Sequence, residues 1–315
     1  MADNDSDDPA DLMSRAEDHR LMGDAVLACD LASQALQSII TRGEHARIPA
    51  AAALLGHAQG LVGQVAEAER SFLTAGEFAR GLARADVHLT GRPAARWGWF
   101  LRTTYRWQDA DELLKRSSAR CTEAGDQVGA ALAQVEIAAL ELDKKLAGAT
   151  VLHVNRVLDV LDGEGLVADA AQARLLLCRA LSARGRHDEA GATLEGVFDV
   201  CHDQGLLLTR IEALTARSAR RLTVQDDTRA AEDDARAALE LAEPRQLAWH
   251  RITALFALAA VDDVSREHAG ETPRPQGIPA SEASFFGQAA RLRSSLENQV
   301  FDLHPLRTVE KRTDA

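Results

Sequence analysis

Residues 53–75, ALLGHAQGLVGQVAEAERSFLTA, decide the fold. Gly56, Gly63, Ala68, Phe72 and Ala75 follow one another there at intervals of seven, five, four and three residues. The same intervals recur three times: Ala16, Gly23, Ala28, Ala32 and Ala35; Gly98, Tyr105, Ala110, Leu114 and Ser117; Cys178, Gly185, Ala190, Leu194 and Val197. A fixed period of small and apolar residues predicts a helix-turn-helix unit repeated along the chain.

The unit is about 40 residues long, because Ala16 precedes Gly56 by 40 residues and Gly98 precedes Cys178 by 80. Asp8-Pro9 predicts the first helix start, with a capping carboxylate and proline in the first turn. The first predicted pair is 9–22 with 24–42, the second begins at 48 and turns at Gly63-Gln64, and the third begins at 92 and turns at 105–108. The fourth pair is 127–143 with 147–162, and the fifth turns at Gly185-Arg186. The sixth pair is 206–222 with 228–242, and the seventh runs from Pro244 to about 264. A last helix is predicted over 282–303, after a proline-rich loop at 265–281.

The composition of the chain favours a helical cytoplasmic protein and disfavours a nucleic-acid-binding one. The chain has 315 residues, 46% hydrophobic content, 4% aromatic residues and a net charge of -12. Small residues favour close-packed helices over a sheet, and the negative charge disfavours binding to a phosphate backbone. We expect a cytoplasmic protein with no membrane segment, because no secretory signal or long apolar run is present. The four cysteines are far apart, so we expect thiols and no disulfide framework.

The repeat resembles the tetratricopeptide repeat family. Leu55-Gly56 with Ala68, Phe72 and Ala75 carry the resemblance, and it extends over about residues 9 to 300. It implies an all-α, right-handed superhelical solenoid of about seven helix pairs over 9–303, between an acidic tail (1–8) and a C-terminal tail (304–315). The common family unit has 34 residues. Units near 40 are similar to the sensor domains of bacterial signalling proteins, although no ATPase module or DNA-reading module is visible here.

The resemblance also implies a concave surface lined by the first helices of successive pairs. First helices carry several arginines together with Trp97 and Trp99, whereas second helices and turns are acidic. The candidate binding residues are Arg96, Trp99, Arg102, Arg106, Arg179, Arg210, Arg217 and Arg220. Arginine suits carboxylate or phosphate recognition. The alternative is structural: the arginines pair with acids of neighbouring helices, such as Asp109, Asp111, Asp233 and Asp234.

No catalytic, metal or cofactor motif stands out: HExxH, GxSxG and GxxxxGKS are all absent. We therefore predict a non-catalytic adaptor that binds a protein or peptide partner, including an acidic one. A ligand-responsive sensor for a small anion or signalling peptide is the alternative, and an enzyme without a recognisable motif is the second alternative. The sequence leaves a homodimer open.

Overall fold

The computed structural model describes residues 8–82, 90–269 and 285–302, and 87% of these residues are helical, with no strand among them. The α-helices are α1 Pro9–Leu21, α2 Ala25–Thr41, α3 Ile48–Leu61, α4 Val65–Leu82, α5 Gly91–Thr103, α6 Trp107–Glu123, α7 Gln127–Asp143, α8 Ala147–Gly163, α9 Val167–Ala183, α10 His187–Gln204, α11 Leu207–Arg220, α12 Thr228–Ala242, α13 Ala248–His268 and α14 Phe285–Asp302. These fourteen helices pack consecutively. The predicted all-α class is confirmed.

A left-handed backbone residue ends most of the described helices. Apart from Gly91, these positive-φ residues are Gly23, Gly43, Gly63, Tyr105, Gly125, Lys145, Gly165, Gly185, Gly205, Asp226 and Gln246. Between successive members the step is 20 residues almost throughout; the longer step from Gly63 to Tyr105 spans the undescribed residues 83–89. Such a residue lets the chain reverse after the last helical turn. The 40-residue unit is therefore two helix-plus-turn modules of equal length.

One module is longer by a single residue, and the cause is local. After α11 the chain forms a five-residue π-helix, Arg221–Gln225. A π-helix inserts an extra residue into a helical turn. The step from Gly205 to Asp226 is accordingly 21 residues.

Apart from α1, the first helices of the pairs are buried on more sides than the second helices. In α7 the five consecutive residues 129–133 are all buried, so neighbours surround that part of the helix. In α6, by contrast, the buried residues are Ala110, Leu114, Ser117 and Cys121, a single stripe at helical spacing. α7 contacts α5, α6, α8 and α9. First helices thus lie between second helices and other first helices.

Small residues occupy the tightest helix crossings. A Cβ atom on Gly56 would lie 3.1 Å from the Ala68 carbonyl oxygen and from the Phe72 ring. On Gly98 it would lie only 2.4 Å from a Leu114 methyl group. The Phe72 ring in turn stacks on Trp97 of the next pair, with centroids 6.0 Å apart. The repeated spacing thus combines close approach within a pair and aromatic packing between pairs.

The chain divides into two compact units. The first comprises Met1–Gly60 and Glu67–Thr209, and the second comprises Leu61–Ala66 and Arg210–Ala315. In the second unit, the Val65 amide donates to Gln299 Oε1 at 3.1 Å, and Phe286 packs on Phe256 of α13. The single solenoid over 9–303 and its handedness stay predictions.

Two boundary predictions and one capping prediction need correction. α13 begins at Ala248, not at Pro244, because Glu243–Gln246 form a turn that ends with Gln246 at φ 54°. α13 also continues through 265–268, which were predicted to be the first residues of a loop. Asp8 precedes α1 as expected, but its carboxylate makes no capping hydrogen bond and lies 3.7 Å from Arg42. Residues 1–7, 270–281 and the 304–315 tail lie outside the described residues.

Candidate binding surface

Trp99 lies in an aromatic contact between two first helices. Its ring centroid is 4.5 Å from that of His57 on α3, with the planes inclined by 51°. Gly60, one turn after His57, makes room for the indole, because a Cβ there would approach Trp99 to 3.0 Å. Trp99 and His57 are both half-buried. The pair therefore presents a fixed aromatic surface that is still partly accessible.

Glu17 of α1 connects the first helix pair to the third. Its carboxylate accepts two hydrogen bonds from Arg20, both at 2.9 Å, and one from Arg96 of α5 at 2.7 Å. Burial raises the pKa of the Glu17 carboxyl, but Arg96 and Arg20 outweigh it and hold the pKa well below its usual range. Burial lowers the pKa of Arg96 to about 10, and the like charges of Arg20 and Arg92 add to this effect. Glu17 is therefore a charged partner for a buried arginine.

Arg92, one helical turn before Arg96, connects the third pair to the fifth. It donates two hydrogen bonds to the carboxylate of Asp169 on α9, at 2.9 and 2.8 Å. This is the bidentate geometry in which guanidinium binds carboxylate most strongly. Burial disfavours the charge of Arg92, but Asp169 outweighs that effect and raises the arginine pKa. Together these side chains define the first-helix face of the first unit: Glu17, Arg20, His57, Arg92, Arg96, Trp99 and Asp169.

The other predicted arginines of α5 and its turn also have acidic neighbours. Arg102 lies 3.4 Å from Glu136 and 3.0 Å from Asp143, both on α7. Arg106 lies 2.6 Å from Glu69, a buried carboxylate of α4, and 2.8 Å from Asp109. Each of these arginines therefore bonds to a neighbouring helix, as the structural alternative predicts.

In the second unit, Asp234 of α12 receives two arginines. Arg217 donates two hydrogen bonds to it, at 2.9 and 2.8 Å, and Arg221 approaches to 2.7 Å. Asp234 is only 4% exposed, so the arginines compensate a buried charge. Arg221 begins the π-helix, whose extra residue places its guanidinium beside Asp234 and the Ala230 carbonyl.

The remaining candidate binding residues are Arg179, Arg210 and Arg220. Arg220 is half-buried, whereas Arg179 and Arg210 are exposed and form no ion pair with any residue in the described part of the chain. Arg179 and Arg210 belong to different units. Of the eight candidates, Arg96 and Trp99 belong to the group of side chains defined above as the first-helix face; the other six are not part of that group and stay predictions as binding residues.

Sequence reasoning missed Glu17, Arg20 and Asp169 as members of this face. A signal for Glu17 was present: it follows Ala16 as His57 follows Gly56 and Trp99 follows Gly98. The residue after the small residue therefore occupies the same face in the first three pairs. Nothing in the local sequence announces Asp169, because its partner Arg92 precedes it by 77 residues.

The described residues give little support for a metal site or an enclosed ligand pocket. They contain no group of three His, Cys, Asp or Glu side chains suited to a metal ion. Cys121, Cys178 and Cys201 are buried and Cys29 is partly exposed, and none of the four is in a disulfide. An open depression of about 580 Å³ between α1 and α2 is lined mainly by uncharged polar residues. No helix in the described part of the chain is long and apolar enough to cross a bilayer.

Comparison with known proteins adds no family assignment. No family model matches the chain, and no match to a characterised protein is found. The tetratricopeptide-type assignment therefore rests on the repeated spacing alone.

Proposed function

We propose that the chain is a non-catalytic recognition protein of the tetratricopeptide-repeat type, which binds a protein or peptide partner on the first-helix face. The observation that carries this proposal is the Trp99–His57 contact, half-buried and bordered by charged side chains. Tryptophan and arginine supply a large share of binding energy at protein interfaces, chiefly from partly enclosed positions. Trp99 is the only tryptophan on this face.

The ion pairs support the proposal by fixing the surface before a partner arrives. Arg96 and Arg92 are held by Glu17 and Asp169 from two other helices, so their side chains are already ordered. Binding then costs less conformational entropy than on a surface of free arginines. The tight packing of Gly60 against Trp99 has the same effect on the indole.

A ligand-responsive sensor is the second candidate, and one observation favours it. The pairs Glu17–Arg96 and Arg92–Asp169 join the first helices of pairs one, three and five. A ligand that competes for either arginine would weaken a link between helices far apart in sequence. Its binding energy would then shift the arrangement of the first unit.

The test compares Trp99→Ala with Trp107→Ala, a matched control at the half-buried start of α6. A partner is first isolated from extract of the host, identified by native mass spectrometry and purified. Its affinity for each full-length variant is then measured by calorimetry, with circular dichroism as a check of folding. We expect Trp99→Ala to weaken binding about 30-fold or more and Trp107→Ala to change it little. Equal affinity of Trp99→Ala and the unmodified chain would contradict the proposal.

A further inference from the structure

The turn between α3 and α4, Leu61–Ala66, packs against helices that lie far along the chain within the second compact unit. A Cβ atom on Gly63 would lie 2.9 Å from the Cβ atom of Ala248, at the start of α13, and 3.0 Å from a Leu296 methyl group of α14. Leu296 is only 3% exposed. In repeat arrays a unit usually contacts only its neighbours in sequence. The contact of this turn with α13 and α14 is therefore an addition to the packing that the repeat itself provides.

Gln299 of α14 supplies a hydrogen bond to the start of α4. Val65 is the first residue of α4, and the first amides of a helix have no acceptor within that helix. The Val65 amide donates to Gln299 Oε1 at 3.1 Å, across 234 residues of sequence. At the start of α12, by contrast, the Asp227 carboxylate accepts from the amide of Ala230, three residues away. The cap on α4 thus depends on the docking of α14.

Few apolar side chains hold α14 in place. Of its residues whose burial the structure describes, three are buried: Gly287, Ala289 and Leu296. Phe286 meets Phe256 of α13 edge to face, with ring centroids 5.8 Å apart, but Phe286 itself stays 46% exposed. A helix that buries little apolar area opens at a lower free energy than the core of the fold. α14 can therefore undock while the other helices stay folded.

The turn held by α14 adjoins the aromatic contact between His57 and Trp99. Leu61 follows Gly60 directly, and a Cβ atom on Gly60 would approach the Trp99 ring to 3.0 Å. His57, one helical turn earlier, forms the other side of that contact, at a centroid distance of 4.5 Å. His57 and Gly60 both lie in the last turns of α3. A displacement of the turn would therefore be transmitted through the α3 backbone to the groups that position the indole.

We propose that α14 is a detachable latch for the end of α3 and the start of α4. When α14 is docked, Leu296 packs on the turn and Gln299 caps α4, so the support of Trp99 is rigid. When α14 is undocked, the Val65 amide loses its acceptor, the turn loses its packing, and the aromatic surface is no longer held in one arrangement. The partner binds the docked form more tightly, and by linkage its binding stabilises the latch. This coupling to affinity rests on the proposed function, whereas the latch itself does not.

Hydrogen exchange in the full-length chain, measured by mass spectrometry, tests the latch without a partner. Gln299→Ala removes the cap and Leu296→Ala removes the packing, while Asn298→Ala, at an exposed neighbouring position of α14, is the matched control. We expect the exchange rates of amides in residues 61–68 to rise about fivefold in Gln299→Ala and about tenfold or more in Leu296→Ala. Exchange in α9 should stay unchanged in all three variants, and Asn298→Ala should change exchange nowhere.

Partner affinity tests the coupling between the latch and the aromatic surface. Leu296→Ala should weaken partner binding about tenfold and Gln299→Ala less, whereas Asn298→Ala should leave it unchanged. Conversely, a saturating concentration of partner should lower the exchange rates of the α14 amides in the unmodified chain. Circular dichroism checks that each variant is folded, and Gln299→Ala alone decides the outcome if Leu296→Ala is not.

Unchanged exchange of residues 61–68 in both Gln299→Ala and Leu296→Ala would overturn the latch. If exchange rises as expected but both variants keep full affinity, while Trp99→Ala still weakens binding, the proposed function stands and the coupling is wrong. If Trp99→Ala leaves partner affinity intact, the proposed function fails, and the latch then stands or falls on the hydrogen exchange alone.

Discussion

Two helix glycines of this chain, Gly98 and Gly196, differ in whether the surrounding atoms leave space for a Cβ atom. A Cβ on Gly98 would lie 2.4 Å from Leu114, whereas a Cβ on the exposed Gly196 of α10 would meet no atom within 4 Å. The same substitution should therefore change stability in opposite directions. The repeated spacing identifies Gly98 as a crossing residue, and Gly196 lies outside that pattern.

We expect Gly98→Ala to lower the free energy of unfolding by about 1–3 kcal/mol, because the crossing must open to admit a methyl group. Gly196→Ala should raise it by about 0.5–1 kcal/mol, because alanine restricts the unfolded chain and favours the helix. Urea unfolding followed by circular dichroism measures both. Changes of the same sign would mean that the crossing is not as tight as the structure has it.

Lys145 has φ 65° at the turn between α7 and α8. Glycine occupies the corresponding position in most of the other turns, since a side chain strains the left-handed conformation. Lys145→Gly should raise stability by about 0.5–1 kcal/mol. The control is Lys144→Gly, whose φ is −77°; it should leave stability unchanged or lower it slightly. Thermal unfolding separates the two, and a loss of stability in Lys145→Gly would contradict the strain argument.

At the scale of the helix, local sequence signals predicted most of the boundaries. Turn glycines placed the reversals at Gly23, Gly63 and Gly185 correctly, because a left-handed residue is a local requirement. Pro244 was misread as a helix start, since proline is equally compatible with the turn that it occupies. The ion pairs were harder to predict. Glu17 and Arg96 are 79 residues apart, so only the packing of helices brings them together.

The Glu17–Arg96 contact between α1 and α5 predicts a specific dependence on pH. The pKa of Glu17 lies lower in the folded chain than in the unfolded chain. Its ion pairs therefore stabilise the fold fully above about pH 5 and lose this contribution as pH falls toward the depressed pKa. The free energy of unfolding should decline through this acid range, in part because of this one carboxyl.

Glu17→Gln should lower stability at neutral pH by about 1–3 kcal/mol, because Arg96 is then left with a neutral partner. The variant should also lose less stability than the unmodified chain between about pH 5 and pH 2. Glu189→Gln is the control: its partner Arg186 is exposed, so the stability profile of this variant should stay close to that of the unmodified chain. Urea titrations at a series of pH values give these profiles. Parallel profiles for Glu17→Gln and the unmodified chain would show that Glu17 does not titrate as inferred.

For the molecule as a whole, the two compact units organise the arginines differently. In the first unit, arginines join helices of different pairs, as Arg92 does with Asp169. In the second, Arg217 and Arg221 converge on the one carboxylate of Asp234. The sequence showed that arginines concentrate on first helices, and it left open whether they face a ligand or neighbouring acids. Packing decides this point, since the same composition permits either arrangement.

Whether these arginines face a ligand or neighbouring acids can be tested with one charge reversal in each unit, Arg102→Glu and Arg217→Glu. Arg102 is beside Glu136 and Asp143, and Arg217 is bonded to Asp234. Each reversal replaces attraction by repulsion at a partly buried site and should lower stability by about 1–3 kcal/mol. Their acidic partners lie on different helices, α7 and α12, so their effects should add to within about 0.5 kcal/mol in the double variant.

Partner affinity should survive in the double variant at a temperature where it is still folded, because neither arginine belongs to the first-helix face. Arg186→Glu, at an exposed pair, is the control for the two-unit change of net charge in each single variant and should alter stability and binding little. Loss of binding in the folded double variant would instead assign Arg102 or Arg217 to the recognition surface. The single variants would then identify which one, and the first-helix face would have to be extended to include it.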